Sequence, residues 1–295
     1  MTASLSSFAR NVHSQTGEDG VIEEALRRLA EHVPLDRWCV EFGAWDGLHL
    51  SNTLNLIRNQ QYSAVLIEAD PKKYRELCAN LPGDHLIKLQ TYVELDGPRR
   101  LDGILAETPI PRDFDFVSID IDGCDYYILE SLVDYRPKLI CIEFNPTIPN
   151  EVEYVQERSF EVKRGASAAS LVKLAEQKGY TLAAVTPLNV FFVRSDLASH
   201  LLGEERPRLD ALRDDSAVKN YVFSGYDGSI LFSQGSVTNP WNGLRFSEGA
   251  LQKLPRLLRR FPSDYSPVQR ALFAGYVLRY EPGRVLRYLR RRTGR

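Results

Sequence analysis

The sequence contains no apolar run as long as the ~18–20 residues that a bilayer-crossing helix requires. Residues 1–10 also lack the basic and apolar segments of a secretory signal. The four cysteines include no C-x-x-C pair, which excludes the commonest zinc and redox motifs and predicts buried free thiols. A net charge of only −2 gives the whole chain no electrostatic preference for nucleic acid. These absences predict a reduced, cytoplasmic protein without a nucleic-acid partner.

Charge is nevertheless uneven at the end of the chain, where residues 284–295 contain six arginines and no acid. Val285, Leu286 and Leu289 would form a short apolar stripe on a helix there. Basic amphipathic helices bind anionic membrane surfaces, but they also pack against a subunit or end in solvent. The sequence leaves these three roles open, including a peripheral position at the inner face of a membrane.

Short apolar runs alternate with amphipathic stretches from residue 38 onward. The runs predicted as strands are Trp38–Phe42, Ala64–Ile67, Leu86–Leu89, Phe116–Ile121, Leu139–Phe144, Tyr180–Val185 and Asn189–Arg194. The stretches predicted as helices are Leu50–Arg58, Pro71–Leu81, Arg100–Glu107, Asp125–Val133 and Ala168–Lys178. This alternation predicts an α/β fold with a mainly parallel sheet and helices on both faces.

Two further regions flank this pattern. Before it, apolar residues recur at helical spacing from Val21 to Ala30, after a Thr16–Asp19 segment that has the character of a capping box. After Leu202, glycine turns, short aromatic strands and helical patterns follow, including a leucine-rich stretch over residues 251–261. The sequence therefore predicts a first domain over residues 1–202. A smaller α+β extension over residues 203–295 would serve as substrate lid or oligomer contact and end in a basic helix.

The turn after the first predicted strand combines glycines with acids. It reads Glu41-Phe42-Gly43-Ala44-Trp45-Asp46-Gly47. Glycine lets the backbone turn tightly and approach a ligand, but a dinucleotide site would have G-x-G-x-x-G and bare amides for phosphates. Carboxylates beside the turn suit a sulfonium and an α-amino group instead. S-adenosylmethionine (SAM) therefore fits this turn better than NAD.

The next two strand ends supply further candidate cofactor contacts. Glu68, followed by Ala69 and Asp70, can accept hydrogen bonds from the hydroxyls of an adenosine ribose. Asp70 has a second interpretation, because acids are common at helix N-termini. The third strand leads into Gln90, Thr91 and Tyr92, which are placed to contact the edge and face of an adenine, or are ordinary strand-end residues.

Carboxylates also follow the fourth and fifth predicted strands, where Asp120 and Asp122 are candidates for catalysis and Glu143 is a second choice. Neighbouring carboxylates repel each other unless one is protonated or a cation lies between them. Two roles therefore remain open, a general base or a Mg²⁺-type oxygen site. In the alternative structural interpretation, Asp122 shapes the turn and Asp125 caps the next helix.

Two other segments could contribute to the reaction. His49 lies just after the glycine turn, where a histidine base is chemically suitable near neutral pH. Such a residue is more often a surface or capping histidine. The connection over residues 145–167 is long for a compact domain, and loops of this size are usually functional; its Glu151, Glu153 and Tyr154 could hold acceptor hydroxyls.

The segment Phe116–Tyr126, with the sequence FVSIDIDGCDY, resembles the I-D-x-[DE]-G-x-[DE] signature of the FkbM-like family of class I SAM-dependent methyltransferases. The segments Ser14–Gly20, Val40–Gly47 and Ile140–Pro146 are similar to other blocks of that family. The resemblance covers about residues 10–195, and it departs from the family at Ala69, where a proline is common. It implies a Rossmann-like fold.

The resemblance further implies methyl transfer from SAM to an oxygen of a sugar or natural product. Cofactor contacts carry over to Glu41, Gly43, Asp46, Gly47, Glu68 and the region of Asp120; the Ser14–Asp19 block would close over the methionine end. The sequence thus predicts an O-methyltransferase acting on a glycan, such as a bacterial surface polysaccharide, or on a glycosylated metabolite. Two alternatives remain: a nicotinamide-dependent oxidoreductase, and a non-catalytic binding module whose pocket Trp45 would close.

Overall fold

The computed structural model describes residues 3–283 and Arg287. The chain forms two compact units, Met1–Val218 and Lys219–Arg295. The first unit thus runs past the boundary predicted at Leu202, while the functional roles predicted for the two domains stay predictions. Of the arginine-rich segment, only Arg287 is described, so the predicted basic helix lies outside the described residues.

The first unit contains one seven-stranded sheet with the order β3-β2-β1-β4-β5-β7-β6. Its strands are β1 (Trp38–Phe42), β2 (Ser63–Glu68), β3 (Leu86–Gln90), β4 (Phe116–Ile119), β5 (Leu139–Glu143), β6 (Tyr180–Val185) and β7 (Asn189–Arg194). Strands β1 to β5 are parallel, and β7 runs antiparallel to both of its neighbours. The predicted mainly parallel sheet is confirmed.

Helices cover both faces of this sheet. They are α1 (Glu18–Ala30), α2 (Leu54–Gln60), α3 (Pro71–Asn80), α4 (Leu101–Ala106), α5 (Asp125–Ser131), α6 (Ala168–Gln177), α7 (Ala198–Leu202) and α8 (Leu209–Leu212). Because side chains alternate along a strand, neighbouring residues enter two separate cores: Val40 packs with α4 to α6, and Cys39 packs with α1 to α3. Within the described part of the chain, no helix combines the length and apolar character needed to cross a membrane.

Two predicted helix starts are wrong, and acids explain both. The N-cap of α1 is Gly17, without a side-chain cap, because Asp19, the acid three residues after Thr16, accepts the N–H groups of residues 12–14 instead of completing a capping box. Helix α2 was expected from Leu50 but begins at Leu54, because the buried Glu41 carboxylate binds the residues just before it.

The described residues of the second unit include two small hairpins and the helices α9 and α10. Its elements are β8 (Val222–Ser224), β9 (Ile230–Phe232), β10 (Ser236–Thr238), β11 (Arg245–Ser247), α9 (Glu248–Leu251) and α10 (Pro267–Tyr280). The predicted α+β composition is confirmed, and Ser266 with Gln269 forms a complete capping box on α10. The leucine-rich stretch over residues 251–261 is not one helix, because Pro255 interrupts it.

Candidate functional site

A cavity of about 670 Å³ opens at the carboxyl ends of the parallel strands. Ligands of doubly wound sheets bind at this edge, and the volume lies in the range of small-molecule sites. Its walls are formed by Phe42, Gly43, Trp45, Ile67, Glu68, Ala69, Asp70, Tyr92, Val93, Glu94, Asp120, Ile121, Asp122, Phe160, Glu161 and Lys163. The sequence-predicted residues Gly43, Glu68, Ala69, Tyr92, Asp120 and Asp122 are therefore brought together.

Gly43 and Gly47, the two glycines of the turn after β1, are each required by a different close contact. Gly43 has a φ of +86°, and a Cβ built on it would lie 1.9 Å from the carbonyl oxygen of Asp120. No other residue fits there, so the cavity wall is bare backbone. Gly47 has a φ of +75° and lies outside the cavity wall; a Cβ built on it would lie 2.6 Å from the side chains of Leu77 and Leu81.

The Glu41 carboxylate points into the protein rather than into the cavity. It accepts hydrogen bonds from the hydroxyls of Ser51 (2.6 Å) and Thr53 (2.7 Å) and from the N–H of Asn52 (2.7 Å). Burial raises the pKa of Glu41 despite these bonds. Glu41 therefore fixes the approach to α2, and its direct contact with a cofactor stays a prediction.

Asp46, His49 and Ala44 also lie outside the cavity wall. The Asp46 carboxylate accepts the N–H groups of Leu48 and His49 at 2.9 and 2.8 Å; these bonds outweigh burial and lower its pKa. The His49 ring is exposed, with its centroid 5.6 Å from that of Trp45. The structure thus gives Asp46 a turn-forming role, and among the described residues no carboxylate forms a hydrogen bond with the His49 ring that would orient it as a base.

Glu68 is held in place by backbone. Its Oε2 accepts the N–H of Trp45 at 2.8 Å, and its Oε1 accepts the N–H of Asp70 at 2.7 Å. Each carboxylate oxygen has a second lone pair, so ribose hydroxyls can still bind. Asp70 is the N-cap of α3 and accepts from Lys72 and Lys73, as its structural interpretation predicts, while it also lines the cavity.

Trp45 does not close the pocket. Its side chain is 45% exposed, and the Lys73 ammonium lies 4.2 Å from the ring centroid, a cation–π distance. Across the cavity, Tyr92 is exposed and Val93 is buried. Gln90 and Thr91 do not line the cavity, so of the three predicted adenine contacts only Tyr92 is placed for one.

Three carboxylates converge at the ends of β4 and β5. Oxygens of Asp120, Asp122 and Glu143 all lie within 4.8 Å of one another. Loss of hydration, followed by repulsion from Asp122, raises the pKa of Asp120 to about 6. Loss of hydration and the charge of Asp120 raise the pKa of Glu143 to about 9. Glu143 therefore holds its proton to a higher pH than Asp120 does, which argues against Glu143 as the first proton acceptor.

Asp125 belongs to the turn and not to the carboxylate cluster. It is buried at the first residue of α5 and accepts the N–H groups of Ile121 (2.9 Å) and Gly123 (2.8 Å). Burial, together with Asp120, raises the pKa of Asp125 to about 7. Asp125 therefore stabilises the turn before α5, but the prediction that it caps this helix is wrong, because the N-cap is Cys124 and no side chain caps α5.

The long connection over residues 145–167 supplies one wall through residues that the sequence did not single out. Phe160, Glu161 and Lys163 line the cavity, whereas Glu151, Glu153 and Tyr154 do not. The buried Gln156 holds this excursion: its Oε1 accepts the N–H groups of Arg164 and Gly165 at 2.9 and 2.8 Å. In the sequence, only the length of the connection indicated a function. The position of Phe160, Glu161 and Lys163 depends on the hydrogen bonds of the Gln156 amide, which the sequence does not reveal.

The N-terminal block lies beside the carboxylate cluster, on the same face of the sheet. Asn189 is paired with Glu143 across β5 and β7, and its Nδ2 donates to Glu18 at 3.2 Å. The Oδ2 of Asp19 accepts three N–H groups from residues 12–14. Glu18 and Asp19 are both buried, and neither has an ion pair within residues 3–283 and Arg287.

Comparisons with known proteins add the following. No family model matches the chain, and no curated protein does. Among solved structures, it is similar to a putative S-adenosylmethionine dependent methyltransferase from Listeria monocytogenes (8% identity, TM-score 0.36, 58% of this chain and 98% of that one). It is also similar to the mitomycin 7-O-methyltransferase MmcR (17%, 0.33, 59% and 54%) and to LepI in complex with SAM (17%, 0.38, 58% and 46%).

The chain spans less than half the length of LepI and about half that of MmcR. With TM-scores between 0.33 and 0.38, we assign the fold from the strand order of the sheet and not from these similarities. A parallel sheet in the order β3-β2-β1-β4-β5, completed by a reversed β7 and the edge strand β6, has helices on both faces. The first unit accordingly has a Rossmann-like fold, as the sequence predicts.

Proposed function

We propose that this protein is a SAM-dependent O-methyltransferase that methylates a hydroxyl group of a sugar or glycan. The observation that carries the proposal is the charge of the cavity at the carboxyl edge of the sheet. Its walls contain the acids Glu68, Asp70, Glu94, Asp120, Asp122 and Glu161 and a single basic residue, Lys163. Such a cavity attracts the cationic sulfonium and ammonium groups of SAM and repels a pyrophosphate, which disfavours the nicotinamide alternative.

The residues present fit the cofactor. Gly43 leaves bare backbone on the cavity wall, where a Cβ would collide with Asp120. The Glu68 carboxylate is fixed by two backbone N–H groups and keeps lone pairs that can accept further hydrogen bonds. The exposed Tyr92 ring offers an aromatic face. We assign the ribose to Glu68 and the adenine to the side of Tyr92. When bound, SAM supplies an electrophilic methyl group on a positively charged sulfur.

Asp120 is the proton acceptor in this proposal. SAM held at Gly43, Glu68 and Tyr92 would supply the methyl group to the acceptor oxygen. It would leave as S-adenosylhomocysteine, with the electron pair of the broken carbon–sulfur bond on its sulfur. The hydroxyl proton passes to the Asp120 carboxylate, which lies on the cavity wall. A positioned base of this kind contributes about 10²–10⁴-fold. Glu143 keeps Asp120 oriented through their hydrogen bond.

The same carboxylates also fit a divalent cation, which is the second route left open by the sequence. Oxygen donors are what Mg²⁺ prefers, and the three carboxylates have no ion-pair partner within the described part of the chain. Asn189, 5% exposed and beside Glu143 on β7, has an Oδ1 atom without a hydrogen-bond partner. A bound cation would polarise the acceptor oxygen.

The carboxylates that line the cavity support a glycan as the methyl acceptor. Ionised carboxylates accept hydrogen bonds and cannot donate them, so Asp120, Asp122 and Glu161 suit an acceptor rich in hydroxyl groups. The same charges disfavour phosphorylated or carboxylated acceptors. A neutral sugar, free or within a surface polysaccharide, meets both conditions.

Calorimetric titration with SAM and, separately, with NADH tests the cofactor. We expect heat and thermal stabilisation with SAM only; no response to millimolar SAM contradicts the proposal. Incubation with SAM and neutral glycans, followed by mass spectrometry, then tests methylation. Persistent SAM binding with no product from any acceptor class would favour a non-catalytic module. Activity that EDTA abolishes and Mg²⁺ restores would select the cation route over direct proton acceptance.

A further inference from the structure

The two units carry opposite charges. The second unit, Lys219–Arg295, contains fourteen arginines and lysines against four acids, a formal charge of +10. The first unit contains 23 basic residues against 35 acids, a formal charge of −12. The near-neutral total therefore conceals a strongly basic unit, and a patch of this kind attracts anionic surfaces over distances of about 8–10 Å.

The second unit also exposes many large apolar side chains. Fifteen of them are exposed among its described residues, against eight in the much longer first unit. Two aromatic residues, Tyr226 and Trp241, are 91% and 66% exposed. Only Leu258, Tyr265 and Gln269 are buried among the described residues of this unit. Apolar surface on this scale marks an interaction site.

Helix α10 shows the unused surface most clearly. One side is packed: Gln269 donates to the carbonyl oxygen of Leu257 at 2.9 Å, and the Phe273 ring lies 5.6 Å from that of Tyr265. At 3.6 residues per turn, the opposite side presents Val268, Ala271, Leu272, Gly275 and Leu278, all of which are exposed. This side of α10 is therefore exposed apolar surface, which is a feature of interaction sites.

We propose that the second unit docks this protein on an anionic lipid surface through the exposed side of α10. The helix has fourteen residues, which is about 21 Å, so it can lie in the interface but cannot span a bilayer. Arg270 and Arg279 extend from it, and the chain continues into the six arginines of residues 284–295. Exposed apolar side chains together with arginines are what bind the headgroup region of anionic membranes.

Charge and chemistry favour lipid over the other occupants of this surface. A second copy would bring one unit of formal charge +10 against another, and like charges oppose association. Nucleic acid would neutralise the arginines but offers phosphates and base edges and no apolar partner for Val268 and Leu272. Exposed tryptophan and tyrosine, by contrast, are the residues enriched at membrane interfaces.

Flotation of the full chain with vesicles tests the proposal. We expect binding to vesicles of phosphatidylcholine with phosphatidylglycerol, little binding to phosphatidylcholine alone, and release in about 1 M salt, where the Debye length falls to about 3 Å. The double variant Val268→Glu/Leu272→Glu should lower vesicle affinity by about tenfold or more, since it removes two apolar insertions and adds two repelled charges. Because acids in the first turn favour a helix, Val268→Glu should not unfold α10.

The matched control is Val133→Glu/Val152→Glu, which adds the same charge at two exposed valines of the first unit. It should bind vesicles like the unchanged protein, and SAM binding by all three proteins reports that the first unit is intact. The proposal is overturned if the folded protein ignores anionic vesicles at low salt, or if both double variants lose binding equally. It is also overturned if light scattering shows a dimer that Val268→Glu/Leu272→Glu converts to a monomer, since a second copy then covers α10.

Discussion

Gly43 and Asp120 are in such close backbone contact that a Cβ on Gly43 would lie 1.9 Å from the Asp120 carbonyl oxygen. This contact joins the ends of β1 and β4. It also places the bare glycine backbone beside the aspartate that we assign as proton acceptor. Any side chain at position 43 would push the two strand ends apart.

We therefore expect Gly43→Ala to weaken SAM binding by about tenfold or more, which is about 1.4 kcal/mol. The control is Gly97→Ala, which has a similar φ of +80° but no atom closer than 3.9 Å to its added Cβ. The control should lose only the ~1–2 kcal/mol of a left-handed backbone and keep its SAM affinity. Calorimetric titration and urea unfolding measure both; equal SAM affinities for the two variants would contradict the role of the close contact.

Asp120→Asn should lower kcat by about 10²–10⁴-fold, because the amide keeps the shape of the side chain but cannot take a proton. The dissociation constant of SAM should change much less than kcat. The control is Glu161→Gln, which removes one negative charge from the wall of the same cavity at a residue far from Asp120 in the sequence. Steady-state kinetics should show a far smaller effect for Glu161→Gln; equal losses would mean that total charge matters and the position of Asp120 does not.

Gln156→Leu should weaken SAM binding while leaving kcat at saturating SAM nearly unchanged. The substitution leaves the N–H groups of Arg164 and Gly165 without their acceptor, at about 1–3 kcal/mol for each group that stays buried, so Phe160 loses its fixed place on the cavity wall. Glu157→Gln is the control, since it breaks an exposed ion pair with Arg164 worth about 0–1 kcal/mol. An unchanged KM for SAM in Gln156→Leu would show that the wall does not contact the cofactor.

Glu24 should make the stability of the first unit pH-dependent. Hydrogen bonds from Arg27 and then Arg28 lower its pKa from 4.5 to about 2. Because the folded-state pKa is the lower one, the stabilisation is complete above pH 4.5 and is lost as the pH falls toward 2. Glu24→Gln should cost roughly 1–3 kcal/mol at pH 7 and flatten this acid dependence in calorimetry. Glu31→Gln, at an exposed pair with Arg27, should change stability by less than about 1 kcal/mol.

The sheet was predictable because its signal is local. Strands such as Trp38–Phe42 are buried runs of apolar residues, and their alternation with helices specifies a parallel sheet. The strand pairings themselves join residues far apart in the chain. Boundaries failed where a distant group competes for the backbone, as Glu41 does before α2.

The candidate site was predictable in part for the same reason. Glycine at position 43 and acids at positions 68, 120 and 122 follow strands directly, so the strand ends bring them together. The direction of a side chain does not follow from the strand pattern: Glu41 and Asp46 were expected at the cofactor, yet Glu41 binds the hydroxyl of Ser51 and Asp46 binds the N–H groups of the turn that follows it. Phe160 and Lys163 reach the cavity through a loop closed by Gln156, which no spacing rule reveals.

The reversed direction of β7 has a consequence for the edge of the sheet. Because β7 runs antiparallel to β5, its first residue, Asn189, lies beside Glu143 at the carboxyl ends of the parallel strands. The short turn between β6 and β7 lies at the same edge of the sheet. A connection between two antiparallel strands can lengthen or shorten without moving the rest of the sheet. Changes of length in residues 186–188 can therefore alter the sheet edge beside Glu143 without moving the five parallel strands.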